Sequence, residues 1–520
     1  MSSIDTTPDL AAPATPRPAE LALLASVFVI AACGLVYELT AGALASYLLG
    51  DSVLQFSTII GAYLFAMGVG SYLSRHLESQ LASHFLRIEL MVGMVGGFLP
   101  AALFALQAQL SATSVGAFRL ALYGMVTVVG ILVGLEIPLV MRLLKRRYAL
   151  KDLVSQVLTF DYLGALLVSI AFPLVFVPQM GLIRTALFFG MLNVLVALWA
   201  LWLFRHELAR LRAHGTAAAL CMALLAVGFA AADQITTWGE DRFYGEHILF
   251  AESSPYQRIV VTQAHGEVRL FLNGNLQFAS RDEYRYHEAL VHPVMSALVA
   301  PRRVAVMGGG DGMALREILK YPSVESVTLV ELDRNMTQLF SREPLLRALN
   351  HDSLLSPKVH VVNEDAFKWL ETHADTFDAI IVDFPDPTNY SLGKLYTTAF
   401  YSLLDQHLAA SGYAVIQTTS PLIARKTFWT VAQTLEAVNL HVAPYHANVP
   451  SFGEWGFIIA SRRPYVLPTH LPAGLRFLDL RTLPLMFDFP PDMSRVPAEV
   501  NRLNNQVLVQ EFAAEWGQVH

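Results

Sequence analysis

VAVMGGGDGMALREILKY, Val304 to Tyr321, with VTLVELD, Val327 to Asp333, just after it, decides the fold of the C-terminal half of this chain. Val304 to Met307 read as a buried strand. A glycine-rich turn, a helix and a second buried strand ending on acids follow. This order is the opening unit of a doubly wound nucleotide-binding sheet. Glycines 308, 309, 310 and 312 let the backbone approach a ligand closely and let the next helix dock tightly. Asp311 stands inside the turn. A glycine turn leading into a helix N-terminus ordinarily receives an anion. A carboxylate side chain there repels an anion and attracts an ammonium.

Further acids fall at successive strand ends. Glu331 ends the second strand, about 20 residues past the turn, where an acid suits two ribose hydroxyls. KVHVVNEDAFKWL gives a third strand ending at Asn363-Glu364-Asp365, where an adenine or its amino group belongs. DAIIVDFPDP, Asp378 to Pro387, is a fourth strand running into a proline-rich loop with Asp383 and Asp386. Open α/β sheets bind ligands at the carboxyl ends of their strands, and Asp311, Glu331, Asp365, Asp383 and Asp386 all fall on that edge.

Upstream, HILFAESSPYQRIVVTQ, EVRLFLNG and NLQFASR alternate apolar and polar residues, with His265-Gly266 and Asn273-Gly274 as turns. They predict a small antiparallel sheet over about 240 to 280. DEYRYHEALVHPVMSALV, Asp282 to Val299, has helical periodicity and leads into the glycine-rich unit.

The first 233 residues are of another kind. The 520-residue chain is 54% hydrophobic and only 15% charged, with a mean hydropathy of +0.44. A soluble domain carries about 25% charge. The deficit lies in apolar runs near 21–44, 53–74, 88–107, 118–141, 154–177, 183–204 and 214–233. Each is long enough as a helix to cross a hydrocarbon core of about 30 Å. These seven spans predict a polytopic helical membrane domain after a polar tail with Pro13, Pro16 and Pro18, without a short cleavable signal. Positive residues gather in alternate loops: Arg75 and Arg87; Arg142, Lys145, Arg146, Arg147 and Lys151; Arg205, Arg210 and Arg212. The positive-inside rule puts these loops and the N-terminus in the cytoplasm, and seven crossings then carry the C-terminal domain to the far side. A re-entrant pair or a miscounted span, for which 21–50 is the favoured place, reverses that outcome. Glu38, Glu136 and Asp161 lie in or beside spans, where acids face a bundle interior or a cavity. They fit either a cation or polyamine path or structural pairing with neighbouring helices.

Composition excludes other classes. A net charge of −7 with no basic stripe leaves no footprint for nucleic acid. Cys33 and Cys221 both sit in apolar runs, which argues against a disulfide framework or a cysteine metal site. His287 and His292, five apart on one helix, are poorly placed as a metal pair. His292, before Pro293, reads as structural.

From about residue 240 to 462 the chain resembles the spermidine synthases, the polyamine aminopropyltransferases. The resemblance rests on SSPYQRIVV, LNGNLQFASRDEYRYHEALVHP, the quoted glycine unit, EDAF, IIVDFPDP and GEWGFIIAS, in order. The apolar N-terminal half is similar to that of membrane-fused bacterial members. The implied fold is a Rossmann-like, methyltransferase-type α/β domain (282–465) preceded by the small sheet (234–281). The membrane domain (21–233) and polar tail (1–20) come before these, and a C-terminal extension of unknown role (466–520) follows. The implied place is the cell (inner) membrane, with the side of the catalytic domain left open, and the implied assembly is a homodimer or homotetramer.

The resemblance implies transfer of the aminopropyl group of decarboxylated S-adenosylmethionine to a diamine, by default putrescine, with no metal. That cosubstrate has lost its carboxylate and is cationic throughout, as Asp311 requires. By matching position, Gln257, Glu331, Asp365 and Ala366 bind the nucleoside part. His287 and Asp311 contact the amines. Tyr286, Gln277 and Asp386 line the acceptor channel, and Asp383 is the general base. Three features depart from the family pattern: Phe384-Pro385 between the loop acids instead of small hydroxyl residues, Thr388-Asn389-Tyr390 in place of Gly-Pro, and Phe452 where many members place a tyrosine. These put the acceptor's identity in question. An S-adenosylmethionine-dependent methyltransferase and a membrane polyamine transporter or sensor with a binding-only domain are the competing readings.

Overall fold

Alternation of apolar side chains builds the C-terminal half. In the computed structural model, which describes residues 18–49, 52–109, 115–145 and 150–517, strands β1 (His247–Ser253), β2 (Arg258–Ala264), β3 (Glu267–Leu272) and β4 (Asn275–Ala279) form an antiparallel sheet in sequential order. Its two tight hairpins fall where the turn residues place them. His265, Gly266, Asn273 and Gly274 all have positive φ, the geometry that matches strand twist in a two-residue hairpin. A helix not anticipated from the strand pattern, α8 (Ala232–Tyr244), precedes this sheet in sequence.

The larger sheet contains β5 (Arg303–Gly308), β6 (Ser326–Val330), β7 (Val359–Val362), β8 (Phe377–Asp383), β9 (Leu408–Thr418), β10 (His441–Val449) and β11 (Gly453–Ser461). Their order is β10-β11-β9-β8-β5-β6-β7. The strands from β9 to β7 are parallel, and β11 and β10 close one edge antiparallel. The order reverses between β5 and β8, the switch point at which such sheets bind ligands. Period-two alternation gives each face its own core. Val304, Val306, Ala379 and Ile381 pack on one side with helix α9 (Glu283–Met295). Ala305, Met307, Ile380 and Val382 pack on the other with Trp369, Phe400 and Phe428.

The C-terminal extension belongs to these cores. Leu478, Leu483 and Met486 join the first, and Leu508 joins the second. Burial of each such side chain contributes about 1.5–3 kcal/mol. Glu288, itself buried, accepts the backbone N–H groups of Arg476, Phe477 and Leu478 at 2.7, 2.8 and 2.9 Å.

The other compact unit ends in sequence at Phe243. Its helices are α1 (Pro18–Leu49), α2 (Ser52–Leu73), α3 (Leu81–Gln109), α4 (Val115–Leu144), α5 (Leu150–Ala171), α6 (Val177–Leu203) and α7 (Leu211–Ala230). Among the described residues, six helical runs are long and apolar enough to cross a membrane. The fifth, Leu153–Leu203, is 51 residues long and is not one rod. Gly181 has φ 72° and ψ 174°, outside the helical region. The rings of Phe176 and Phe189 are 5.1 Å apart, whereas thirteen positions along a straight helix cover about 20 Å. The chain therefore doubles back at Gly181, and the run holds two of the seven apolar segments. The first segment, favoured above for a re-entrant pair, is instead one unbroken helix. Helices α3 and α6 meet at facing glycines: a Cβ on Gly93 would lie 2.8 Å from the Gly190 carbonyl. The first 17 residues of the polar tail, and Arg146 and Arg147 of the basic cluster, lie outside the described residues.

Candidate active site

Asp383 is the last residue of β8, at the switch point beside β5. The β5 backbone approaches it so closely that a Cβ on Gly308 (φ 82°) would lie 2.2 Å from the Asp383 carbonyl oxygen. Tyr286, buried on α9, donates its hydroxyl to Asp383 Oδ1 at 2.5 Å. Burial and then the negative charge of Asp311 push the Asp383 carboxyl up to about 6. His287 and the Tyr286 hydroxyl pull the other way.

Asp311 is buried in the turn after β5. Its Oδ1 accepts the Met313 N–H at 2.8 Å, so one oxygen takes the first N–H of helix α10 (Met313–Ile318). Burial holds this carboxyl above the usual range, against the opposing charge of His287. His287, next to Tyr286 on α9, is also buried. Its Nδ1 lies 2.8 Å from Glu283 Oε2 and 2.9 Å from the Glu283 carbonyl oxygen. Arg316 fixes Glu283 from behind with two contacts of 3.0 and 2.9 Å. Burial pushes Glu283 up, but His287 and Arg316 outweigh it and hold the carboxyl at about 2. Glu283 in turn keeps His287 above its ordinary value despite burial. The ring lies in electrostatic reach of Asp311 and Asp383, both of which favour its protonated form. When protonated, His287 offsets the charge of two buried acids, which keeps the cluster tolerable.

Toward β6 and β7 the acids are held differently. Glu331 accepts Gly310 N–H through Oε2 at 3.1 Å and Asp333 N–H through Oε1 at 2.8 Å. Burial raises it to about 7 against the Asp333 N–H. Gln257, from the loop before β2, does not reach Glu331. Its amide donates to Asp333 Oδ2 at 2.9 Å, which also accepts from Ser254 at 2.7 Å. Asp333 was in the quoted stretch, but sequence alone did not single it out. Asp365 caps helix α11 (Ala366–Thr372) through the Phe367 N–H at 2.9 Å and bridges to Lys394 at 2.6 Å. Burial raises its carboxyl, but Lys394 outweighs this and holds it below the usual range. Ala366, the first residue of α11, is buried.

Asp386 lies on the other side of Asp383, in the loop after β8. It is faced by Gln417 and Thr419, and burial against them raises it to about 7. Its Oδ1 is buried without a hydrogen-bond partner. The loop is held by its carbonyls: Gln417 donates to Phe384 O, and the buried Tyr396 donates to Pro385 O at 3.0 Å. Trp455 Nε1 donates to Gln417 Oε1 at 3.0 Å. Phe452 lies 6.2 Å from the Tyr286 ring and 5.4 Å from Trp455. Sequence reasoning missed Gln417, Thr419, Tyr396 and Lys394. The polar triplet Gln417-Thr418-Thr419 at the end of the apolar strand β9 was the available signal.

The structure thus brings Tyr286, His287, Asp311 and Asp383 together, with Glu331 and Asp386 to either side. It leaves Gln277 outside this network: its amide donates to the Asn275 carbonyl within its own hairpin, at 3.2 Å. His292 is structural, buried between Tyr321 (2.9 Å) and Glu317 (2.8 Å). Among the described residues, no group of three or more His, Cys, Asp or Glu is placed to hold a metal ion. In the other unit, Glu136 is fully buried and neither of its carboxylate oxygens has a partner. Glu89, not singled out in sequence, is also buried and accepts from Asn193 at 2.9 Å, which accepts from Tyr37 at 2.9 Å. Glu38 is buried as well, and Asp161 is half-buried.

Residues 283–469 match the family model described as "Spermine/spermidine synthase domain". Polyamine aminopropyltransferase 1 of Ralstonia nicotianae is 56% identical over 522 residues, covering 98% of this chain and 99% of that protein. The polyamine aminopropyltransferase of Leptospira interrogans is 50% identical over 500 residues, covering 96% and 99%. A crystal structure of spermidine synthase in complex with the transition state analogue AdoDATO aligns with 47% of this chain and 86% of that one, at 25% identity and a TM-score of 0.44.

Proposed function

The chain belongs to the polyamine aminopropyltransferases, and we infer on that premise that it is an enzyme moving the aminopropyl group of decarboxylated S-adenosylmethionine onto a diamine to give spermidine. Methylthioadenosine is the second product, and putrescine is the acceptor read from the resemblance. The cosubstrate carries its own leaving group, a sulfonium, so the displacement calls on no metal to activate it.

The observation that carries the mechanism is the Tyr286–Asp383 pair at the switch point, flanked by Asp311 and His287. An amine with a pKa of about 10 is an ammonium in water and cannot attack. Asp383, when ionised, binds that ammonium and takes its proton. The freed nitrogen lone pair forms the new N–C bond at the aminopropyl carbon, the C–S bond breaks, and its electron pair returns to sulfur as a neutral thioether. Asp311 holds the cosubstrate's amine on the β5 side. The nucleoside lies toward Glu331, Gln257, Asp365 and Ala366. Asp386 receives the far end of the acceptor, and the Tyr286 ring lines its path. Gln277 reaches that path only by leaving its own hairpin. Asp311 disfavours a cosubstrate that retains a carboxylate, which separates this reading from a methyltransferase.

The apolar helices α1 to α7 are read as seven membrane crossings. Their support is length, composition and the small-residue contact of α3 with α6.

The test is product analysis of detergent-solubilised full-length protein supplied with both substrates. Spermidine and methylthioadenosine are expected in equal amounts. Asp383→Asn is expected to lose about 10²–10⁴-fold in kcat, the usual size of a general-base contribution, with little change in methylthioadenosine affinity. Unchanged kcat in that variant would remove Asp383 from the role.

A further inference from the structure

The C-terminal extension enters none of the steps above, yet it reaches the loop that carries Asp386 along two routes. The first runs through Asn501, which is fully buried. Its Nδ2 donates to the carbonyl oxygens of Gly393 (3.3 Å) and Tyr396 (3.0 Å), and its own carbonyl accepts the Thr398 N–H at 3.1 Å. Tyr396 in turn sends its hydroxyl to the Pro385 carbonyl, one residue before Asp386. Gly393 is pressed against the C-terminal helix Val507–Trp516: a Cβ there would lie 2.5 Å from Val509 Cγ2. The second route runs through the end of that helix. Trp516 Nε1 donates to Thr419 Oγ1 at 3.0 Å, and Thr419 faces Asp386. Glu515 anchors this end by accepting the backbone N–H groups of Lys426 and Thr427 at 2.8 and 3.0 Å.

Both routes arrive on the acceptor side, and the first also holds the turn of Lys394, which bridges to Asp365 on the nucleoside side. The groups that hold Glu331 and Asp333 are Gly310, Ser254 and Gln257, all far from the extension in sequence. The orphaned Asp386 oxygen lies where the two routes converge.

We propose that the C-terminal extension is part of the acceptor site: Asn501 and Trp516 are positioning residues that fix the Phe384–Tyr396 loop and the Thr419 hydroxyl, and through them the carboxylate that receives the diamine's far ammonium. This rests on the assignment of Asp386 to the acceptor. It gives residues 466–520 a function in diamine recognition. The length of diamine accepted then depends on side chains about a hundred residues beyond the catalytic loop in sequence.

The test uses the full-length protein in detergent, with putrescine affinity measured by calorimetry in the presence of methylthioadenosine, beside steady-state kinetics. Trp516→Phe keeps a six-membered aromatic ring and loses the pyrrole ring that carries the N–H. It is expected to weaken putrescine binding and raise its KM by about threefold to tenfold, the size of one buried hydrogen bond. KM for decarboxylated S-adenosylmethionine stays unchanged, and the melting temperature falls by no more than about 4 °C. Thr419→Val should reproduce this effect, and Thr419→Ser, which keeps the hydroxyl, should not. Asn501→Asp places a carboxylate against two carbonyls. Because Lys394 lies in the same turn and bridges to Asp365, this variant is expected to weaken both substrates, putrescine more. Wild-type putrescine affinity in both Trp516→Phe and Asn501→Asp overturns the proposal. So does an equal loss for both substrates together with a larger fall in melting temperature in Trp516→Phe, because that marks a merely structural helix. Turnover by the wild type tests the reading beneath it, and diamine affinity tests this inference, so the two fail separately.

Discussion

Asp383 carries two opposing demands. As a base it must be ionised, yet burial and Asp311 raise its carboxyl to about 6, above the usual value near 3.9. Its catalytic form therefore gains population as pH rises through about 6, and kcat is expected to climb over that range. Tyr286→Phe removes a hydrogen bond that favours the ionised form. The acid limb of the pH profile should move to higher pH, and kcat at its plateau should fall about tenfold, the size of a hydrogen bond to a charged group. Asp311→Asn removes a charge that raises Asp383, so its acid limb should move to lower pH. Profiles of kcat against pH for the three proteins check both directions, and a shift of the same sign in both variants would contradict the electrostatic account. The same displacements bear on folding. Raised carboxyls such as Asp383, Asp386 and Glu331 bind protons more tightly in the folded chain, so their contribution declines as pH rises from about 4 to 7. Glu283, held at about 2, contributes stability above pH 4.5 that is lost as pH falls toward 2.

The glycine turn acts as an element, because its shape decides where acids from three strands can stand. Gly308 lets β5 press against Asp383, and Gly310 lets the turn press against Glu331. A Cβ on Gly310 would lie 2.7 Å from Glu331 Cγ. Gly310 has no positive φ, so the backbone admits alanine and the contact alone carries the cost. Overpacking of this kind costs about 1–3 kcal/mol, and here it falls on the nucleoside side. Gly310→Ala is expected to weaken methylthioadenosine binding about tenfold to a hundredfold while leaving the acid limb of Asp383 in place. Calorimetric titration with methylthioadenosine checks this, and wild-type affinity would show that Glu331 moves aside without loss. Helix α9 is the matching element on the other side of Asp383, presenting Tyr286 and His287 from consecutive positions.

At the scale of the whole molecule, the chain joins an acid-rich catalytic unit to a bundle of apolar helices. Exposed Leu64, Phe65, Leu120, Leu174 and Val227 on that bundle form a surface that water does not tolerate and lipid does. The full-length protein is expected to remain with membranes after a high-pH carbonate wash and to require detergent for release. Recovery in the soluble fraction would contradict the reading of these helices as crossings. Glu136 and Glu89 sit inside the bundle, not on its exposed apolar surface, where a membrane would tolerate acids least.

Sequence by itself determined the two-part plan and most of the strand-edge acids, because both are written in short-range patterns. Apolar runs of membrane length, period-two alternation and a glycine turn between strands are local signals that tertiary context did not overturn. The hairpin turns at His265 and Asn273 were legible for the same reason. Tertiary structure alone decided which acids stand together and what holds each. Gln257 reaches Asp333 rather than Glu331, Asp365 is neutralised by Lys394, and Gln277 turns back into its hairpin; each is settled by side-chain reach across elements far apart in sequence. It also decided that α5 and α6 fold back at Gly181, where a single residue's φ breaks an otherwise continuous helical pattern. The extension's contacts through Asn501 and Trp516 were invisible in sequence for the plainest reason. A hydrogen bond between residues a hundred positions apart leaves no periodicity in either one.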